Sequence, residues 1–319
     1  MVDFTSLTWL FSLWKLSRKY DRVIFHTHSY YGNIPLYLLT IFRPGRRWIK
    51  TEHRLGHAPV SSWKRWIRRL LRTVNAGPTV IIGVSDAVTA RNRALHGEVV
   101  TTIHNGISDV STPYRRKPRT PEKALYVGRL TPEKGIDNLV NAFSLLAKDN
   151  DYNALTLTVV GTGPSFEPLQ KFILENGLSE RIRLVGYQED PSPYYKDADF
   201  LIVPTQILEA CPLVTLEARR FGLPALYANR GGMRETAGKG ATPLTGLSPQ
   251  ALCESIKAFA DNPKAYITNI EKTRLGLSYF SIERMADEYV ALYEHVFSGR
   301  YKALFDQPFK LQSQAEREC

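Results

Sequence analysis

Short apolar runs alternate with amphipathic stretches along the second half of the chain. The runs Ala124–Val127, Leu155–Val160, Ile182–Val185, Phe200–Val203 and Pro224–Tyr227 have strand length and are bounded by Gly, Pro or polar residues. Between them, Ile136–Lys148, Phe166–Asn176, Leu213–Phe221 and Pro249–Ala260 carry apolar residues at helical spacing. Strand and helix in regular turn predict βαβ units around a parallel sheet. The first half repeats the alternation more briefly. Helices Leu7–Lys19, Ile34–Phe42 and Ser61–Val74 precede strands Arg22–Thr27, Trp48–Thr51 and Val80–Val84, and a further helix follows Ser85. The expected fold class is therefore α/β, in two halves. The stretch Ser111–Pro121 is polar, basic and proline-rich and suits no packed element. It separates a first domain, 1–118, from a second, 119–280. Ser281–Phe297 reads as a helix crossing back onto the first domain, and the chain closes with a tail of weak periodicity.

At 319 residues the chain is long enough for two domains of ordinary size, and 43% apolar residues can fill their cores. No apolar run reaches the roughly 18 residues of a membrane helix. Met1–Leu16 is apolar but short, carries Asp3 and lacks a basic leader, so a signal peptide is not expected. Cys211, Cys253 and Cys319 show neither disulfide nor zinc spacing, which suits a reducing, cytoplasmic setting. The charge of +11 is uneven: residues 1–119 hold 20 Lys+Arg against 6 Asp+Glu, and the remainder 22 against 25. A basic first domain points to an anionic partner (a phospholipid surface, nucleic acid or a phosphorylated acceptor) or is a solubilising surface. No nucleic-acid motif or aromatic platform is present, and nucleic acid is not expected as a partner.

One basic segment is sharply patterned. In Ser62–Val74 the residues Trp63, Trp66, Ile67, Leu70, Leu71 and Val74 share one helical face, with Lys64, Arg65, Arg68, Arg69 and Arg72 on the other. Its apolar face can pack on the domain sheet while its basic face meets anionic lipid. Peripheral attachment to the inner face of the cell membrane is the expectation.

Candidate chemistry lies at the ends of the second-domain strands, where open α/β sheets bind their ligands. Glu209 and Glu217 flank Pro212, which suits the first position of a helix. The amides of Leu213 and Val214 would then face outward at the positive end of that helix, a ready phosphate site. Glu209 would precede the helix on a loop and Glu217 would stand within it. Arg129 and Lys134 follow the first strand of this domain and are suited to hold a diphosphate and stabilise it as a leaving group. Gly161 and Gly163 follow the second strand and permit close backbone approach to a ligand; the third glycine of a dinucleotide fingerprint is absent. In the first domain, strand periodicity puts His26 and His28 on one face. Packing or hydrogen bonding there is favoured over metal binding, and no metal site is expected.

These motifs resemble the retaining glycosyltransferases with two Rossmann-like domains (GT-B), of the family 4 or group 1 class. The resemblance is carried by Val127-Gly128-Arg129-Leu130 with Glu133-Lys134-Gly135, Gly161-Thr162-Gly163-Pro164, Arg183-Leu184-Val185-Gly186-Tyr187, Ala198–Pro204, Glu209 with Glu217-Ala218, Gly222-Leu223-Pro224 and Gly231-Gly232 with Glu235. In the first half it rests on Asp21–His28, Lys50–His53, Val84–Val88 and His104–Ile107. Ala210-Cys211 departs from the family, where glycine or serine and an aromatic residue are common. The resemblance implies a UDP- or GDP-type nucleotide-sugar donor, no cofactor or metal for the chemical step, and a lipid-linked or saccharide acceptor in cell-envelope polysaccharide assembly such as lipopolysaccharide. It implies that Glu209 bonds hydroxyls of the transferred sugar and Glu217 the ribose. Arg129 and Lys134 would hold the diphosphate, the backbone around Gly186 and Tyr187 would meet the base, and Gly128, Gly161, Gly163, Leu213 and Val214 would line the donor cleft. His53 would approach the transferred sugar or the acceptor.

The family normally begins with a strand, a glycine-rich loop, a helix and a further strand before the point where this chain starts. The first domain is thus expected to be incomplete. An internal start of a longer gene, a split enzyme completed by a partner chain, and a degenerate copy are three open explanations. A non-catalytic nucleotide-sugar-binding subunit is the alternative function.

Overall fold

The alternation resolves into two parallel sheets in a computed structural model that describes residues 7–20, 22–28, 36, 47–55, 78–96, 100–110 and 120–300. These residues fall into two units. One comprises the chain up to Gly106 together with the chain from Ile282 on; the other is Ile107–Ser281. Apart from Leu36, the predicted helix Ile34–Phe42 lies outside the described residues, as do the amphipathic segment Ser62–Val74, positions 111–119 of the basic boundary stretch, and the tail after 300.

The first unit opens with α1 (Leu7–Lys19), β1 (Ile24–Thr27), β2 (Arg47–Glu52), β3 (Val80–Gly83), α2 (Asp86–His96) and β4 (Val100–Thr102). The strands pair in chain order, all parallel, with His26 opposite Ile49 and Ile49 opposite Val80. β3 is buried along its whole length, which is why Val80–Val84 reads as a continuous apolar run.

The second unit contains β5 (Lys123–Val127), a short 3₁₀ turn (Pro132–Lys134), α3 (Ile136–Leu146), β6 (Thr156–Val160), α4 (Phe166–Glu175), β7 (Ile182–Gly186) and α5 (Ser192–Asp197). It continues with β8 (Phe200–Val203), α6 (Leu213–Arg220), β9 (Ala225–Tyr227), α7 (Met233–Ala237), β10 (Thr242–Pro243), α8 (Pro249–Ala260) and α9 (Pro263–Thr273). The parallel sheet runs β10-β9-β8-β5-β6-β7. The chain therefore moves outward from β5 through β6 and β7, then crosses back to lay β8 on the other side of β5. The loops after β5 and β8 therefore lie side by side at that reversal, at the carboxyl ends of their strands, where open α/β sheets bind ligands. α3 buries Ile136, Leu139, Val140, Phe143 and Leu146, the helical stripe that the sequence shows.

The last helix, α10 (Ile282–Ser298), belongs to the first unit, where Leu292 and Val296 pack with Ile49, Val80, Ile82 and Ile103. Among the described residues no helix is long and apolar enough to cross a membrane.

One local feature departs from expectation, and a second on the same helix carries no sequence signal. Pro212 is the N-cap of α6, with ψ 102°, and not its first helical residue; its carbonyl accepts the Thr215 hydroxyl at 2.8 Å. Arg219, on the same helix, is 3% exposed and donates to the carbonyls of Thr273 (3.0 Å), Thr236 (3.0 Å) and Leu275 (2.8 Å). Its guanidinium lies 5.4 Å from the Phe280 ring centre, and burial lowers its pKa to about 10. This single side chain ties α6 to the end of α9 and to α7.

Candidate active site

The site is built from the strand-end loops of the second unit. The loop after β5 is laid directly on the loop after β6. The Gly128 amide donates to Val160 O (3.0 Å), the Leu130 amide to Thr162 O (3.0 Å), and the Gly161 amide to Gly186 O (2.8 Å). A Cβ on Gly161 would stand 1.9 Å from the Gly128 carbonyl oxygen, and one on Gly163 would stand 2.4 Å from that of Leu130. The close approach that these glycines permit includes the protein's own backbone, which fixes the loop that carries Arg129 and Lys134. Tyr187, just beyond β7, is 72% exposed.

The loops after β5 and β8 are laced together across the topological reversal. Gly135 has φ 77°, and a Cβ there would meet Pro204 O at 2.1 Å. The Gln206 amide donates to Glu133 O (2.9 Å) and the Gln206 side chain to Pro132 O (3.2 Å). The Glu209 carbonyl accepts the Gly232 amide at 2.7 Å. Held in this way, Lys134 Nζ lies 2.6 Å from Glu209 Oε1, with the two side chains 21% and 15% exposed. The hydroxyl of buried Thr205 donates to the same oxygen at 3.0 Å. Both protein donors use Oε1, so Oε2 is the acceptor Glu209 offers to a ligand.

Arg129 is exposed, and its guanidinium makes no hydrogen bond or ion pair among the described residues. Its backbone carbonyl accepts the Tyr126 hydroxyl at 2.8 Å. Burial, then the nearby Glu209 carboxylate, push the Tyr126 phenol well above its ordinary pKa, so it stays a neutral donor. The two loops thus present a paired cation, an exposed cation and a half-shielded carboxylate, an arrangement able to receive a sugar hydroxyl and an anionic leaving group.

Glu217 stands on α6, where Oε2 accepts the Tyr195 hydroxyl at 2.7 Å. It lines a cavity of about 260 Å³ together with Tyr195, Arg220, Asp190, Ser192 and Ile107. Leu213 and Val214 open the helix, so their amides precede its first internal acceptor. Of the residues singled out by sequence, the structure joins Lys134 to Glu209 directly and Gly128, Gly161 and Gly186 through backbone. Thr205 and Tyr195 had no motif to mark them; each supplies one hydroxyl to a carboxylate on another element or loop position.

The first unit holds a histidine cluster at the ends of β1 and β2. His26 Nδ1 is 2.7 Å from Tyr293 Oη, and its Nε2 is 2.8 Å from Thr51 Oγ1. His28 Nδ1 is 3.0 Å from His53 Nε2, and the His26 and His28 rings lie 4.3 Å apart. Burial, then the charges of His28 and His53, lower the His26 pKa to about 4; burial also lowers those of His28 and His53. The folded state thus binds this proton more weakly than the unfolded chain. Stability is complete above pH 6.5 and is lost as pH falls from 6.5 toward 4. Discounted for partial exposure, the loss is about 1–2 kcal/mol. Urea titrations at pH 7 and pH 4.5 should show it, and His26→Gln should reduce the difference; an equal pH effect in the variant would refute the assignment.

A family model described as glycosyl transferases group 1 matches residues 111–275, and one described as Glycosyltransferase Family 4 matches residues 4–110. The glycogen synthase of Mycobacterium tuberculosis (strain ATCC 25618 / H37Rv) is 28% identical over 222 residues, covering 63% of this chain. The matched stretch spans about half, 52%, of that relative's own length. A glycosyltransferase from Rickettsia africae ESF-5 superposes with a TM-score of 0.75 at 19% identity, covering 91% of this chain and 81% of the other. Anabaena Alr3699/HepE in complex with UDP gives 0.74 at 16% identity, covering 89% and 81%. The structural likeness identifies the fold as α/β with two Rossmann-like domains.

Proposed function

The chain belongs to the group 1 glycosyl transferases, and from that premise we propose that it is a retaining hexosyltransferase. Its donor is a UDP- or GDP-type nucleotide diphosphate sugar, and its acceptor a lipid-linked or polysaccharide hydroxyl of the cell envelope, as in lipopolysaccharide assembly. The carrying observation is the Lys134–Glu209 pair at the sheet's topological reversal, with both protein donors gathered on Glu209 Oε1. In this reading Oε2 accepts from hydroxyls of the transferred sugar. Lys134 and Arg129 bind the diphosphate, with the amides of Leu213 and Val214 beside them. Glu217 receives the ribose, the backbone at Gly186 and Tyr187 the base, and His53 the sugar or acceptor. The bond from the anomeric carbon to the phosphate oxygen breaks as the acceptor oxygen bonds on the same face. The acceptor's proton passes to the leaving phosphate. Charge stabilisation and orientation carry the rate, with no cofactor or metal ion in the chemical step. The UDP held by the Anabaena protein and the glycogen synthase among the relatives support a nucleotide-sugar donor and a saccharide acceptor.

Thermal shift with UDP, GDP and ADP tests donor binding. One of the first two should raise Tm, by about 2.7 kcal/mol of stabilisation at 100-fold excess over Kd, and Glu217→Gln should reduce the shift. Binding without donor hydrolysis or transfer, together with a neutral Glu209→Ala, would replace this reading with a nucleotide-sugar-binding subunit that works with a partner chain. Peripheral attachment to the inner membrane face rests on the Ser62–Val74 pattern and the basic first 119 residues. It calls for sedimentation with anionic vesicles that drops sharply from low to moderate salt; salt-insensitive lack of binding would end it.

A further inference from the structure

We propose that Tyr195 is a positioning residue for Glu217, and that the pair makes the second unit select ribonucleoside over 2′-deoxyribonucleoside diphosphates. The inference rests on the donor reading above and adds to it a residue and a selectivity.

Tyr195 is 1% exposed, and its ring packs with Leu125, Val160, Ala198 and Leu201 and stacks on Phe221 at 5.8 Å. The hydroxyl therefore sits at a fixed point, 2.7 Å from Glu217 Oε2. Burial and the adjacent carboxylate hold the phenol well above its ordinary pKa, so toward Glu217 it acts as a donor. A carboxylate with one oxygen tied in this way cannot rotate freely, and it presents its second oxygen along a set direction. That oxygen is an acceptor only, and it needs an O–H donor. Glu217 lines the cavity shared with Ser192, Asp190 and Arg220, where Arg220 is already engaged by Asp109 at 2.7 Å. The vicinal diol of a ribose is the part of a nucleotide that supplies such donors in a pair. A 2′-deoxyribose leaves the half-buried carboxylate short of one partner, and sites built to bond a hydroxyl reject analogues that lack it.

Calorimetry on the full chain with UDP, 2′-deoxy-UDP and the corresponding GDP pair tests this. The wild type should prefer the ribonucleotide about tenfold or more, the size of one lost hydrogen bond to a charged group. Tyr195→Phe keeps the ring and removes only the hydroxyl. It should weaken ribonucleotide binding about tenfold, leave the deoxynucleotide nearly unchanged and so collapse the ratio. In turnover, donor KM should rise with kcat held within about twofold, as expected when a ground-state contact is lost. Glu217→Gln, whose amide oxygen can still accept from Tyr195, should keep part of the preference and serves if Tyr195→Phe folds poorly. A ribose preference that survives Tyr195→Phe at full affinity overturns the role of Tyr195. A wild type that binds neither nucleotide overturns the donor reading itself.

Discussion

Lys134→Met should lower kcat for sugar transfer by about 10²–10³-fold, the range seen when one preorganised donor to a developing anion is removed. Two consequences of the substitution act together. In the proposed reading, the leaving diphosphate loses a cation that is 21% exposed and held on a braced loop. Glu209 loses the stronger of its two partners, at 2.6 Å, and keeps only Thr205 at 3.0 Å, so its carboxylate is free to swing. The second effect should make the substitutions non-additive: Lys134→Met with Glu209→Gln should cost much less than the product of the single losses. Steady-state kinetics on the four proteins decide it. A Lys134→Met enzyme within threefold of wild type would remove Lys134 from the chemistry and leave the pair a structural brace.

The second large effect is on stability. Arg219→Met should destabilise the second unit by about 2–5 kcal/mol, and two terms set that range. Three hydrogen bonds from a charged donor are worth about 1.5–3 kcal/mol each. Against them stands the burial of the cation, which lowers its pKa to about 10, an opposing cost of about 3 kcal/mol. The bonds win because all three acceptors are backbone carbonyls, two of them in buried hydrogen bonds that a methionine leaves without a donor. A unit of this size should lose about 2–4 °C of Tm per kcal/mol, readable by circular dichroism melts. Arg219→Lys should recover a minority of the loss, since one ammonium cannot reach three carbonyls in the fork geometry. A Tm unchanged in Arg219→Met would show that relief of desolvation cancels the bonds.

β8 was legible because it is buried almost throughout and so reads as an unbroken apolar run; Phe200–Val203 agrees residue for residue. β6 and β7 showed through their apolar residues despite Thr156, Thr158 and Arg183. α9 was not legible, since it buries only Tyr266 and Thr273 and leaves no stripe. α5 and α7 are too short to show a period. The glycines signalled a close approach without saying what approaches. Lys134 and Glu209 are legible as separate candidates; their contact needs the order β8-β5-β6, which no local pattern encodes. His28 and His53 likewise meet only because β1 pairs with β2 in a register that sets Thr27 beside Lys50.

The six-stranded sheet ends unequally. On one side it stops at β10, two residues long, whose second residue, Pro243, has no N–H to offer. On the other it stops at β7, five residues whose outer side pairs with no strand among the described residues. A second copy seeking to extend the sheet by strand addition finds no template at the first end, so cross-molecule β-pairing, and any fibrillar growth from it, is directed to the second. There the exposed Arg183 stands at the second position of the strand, and a stack of identical copies in register would bring these like charges together at each step. The strand that leads to Gly186 and Tyr187 thus carries its own charge against edge-to-edge stacking.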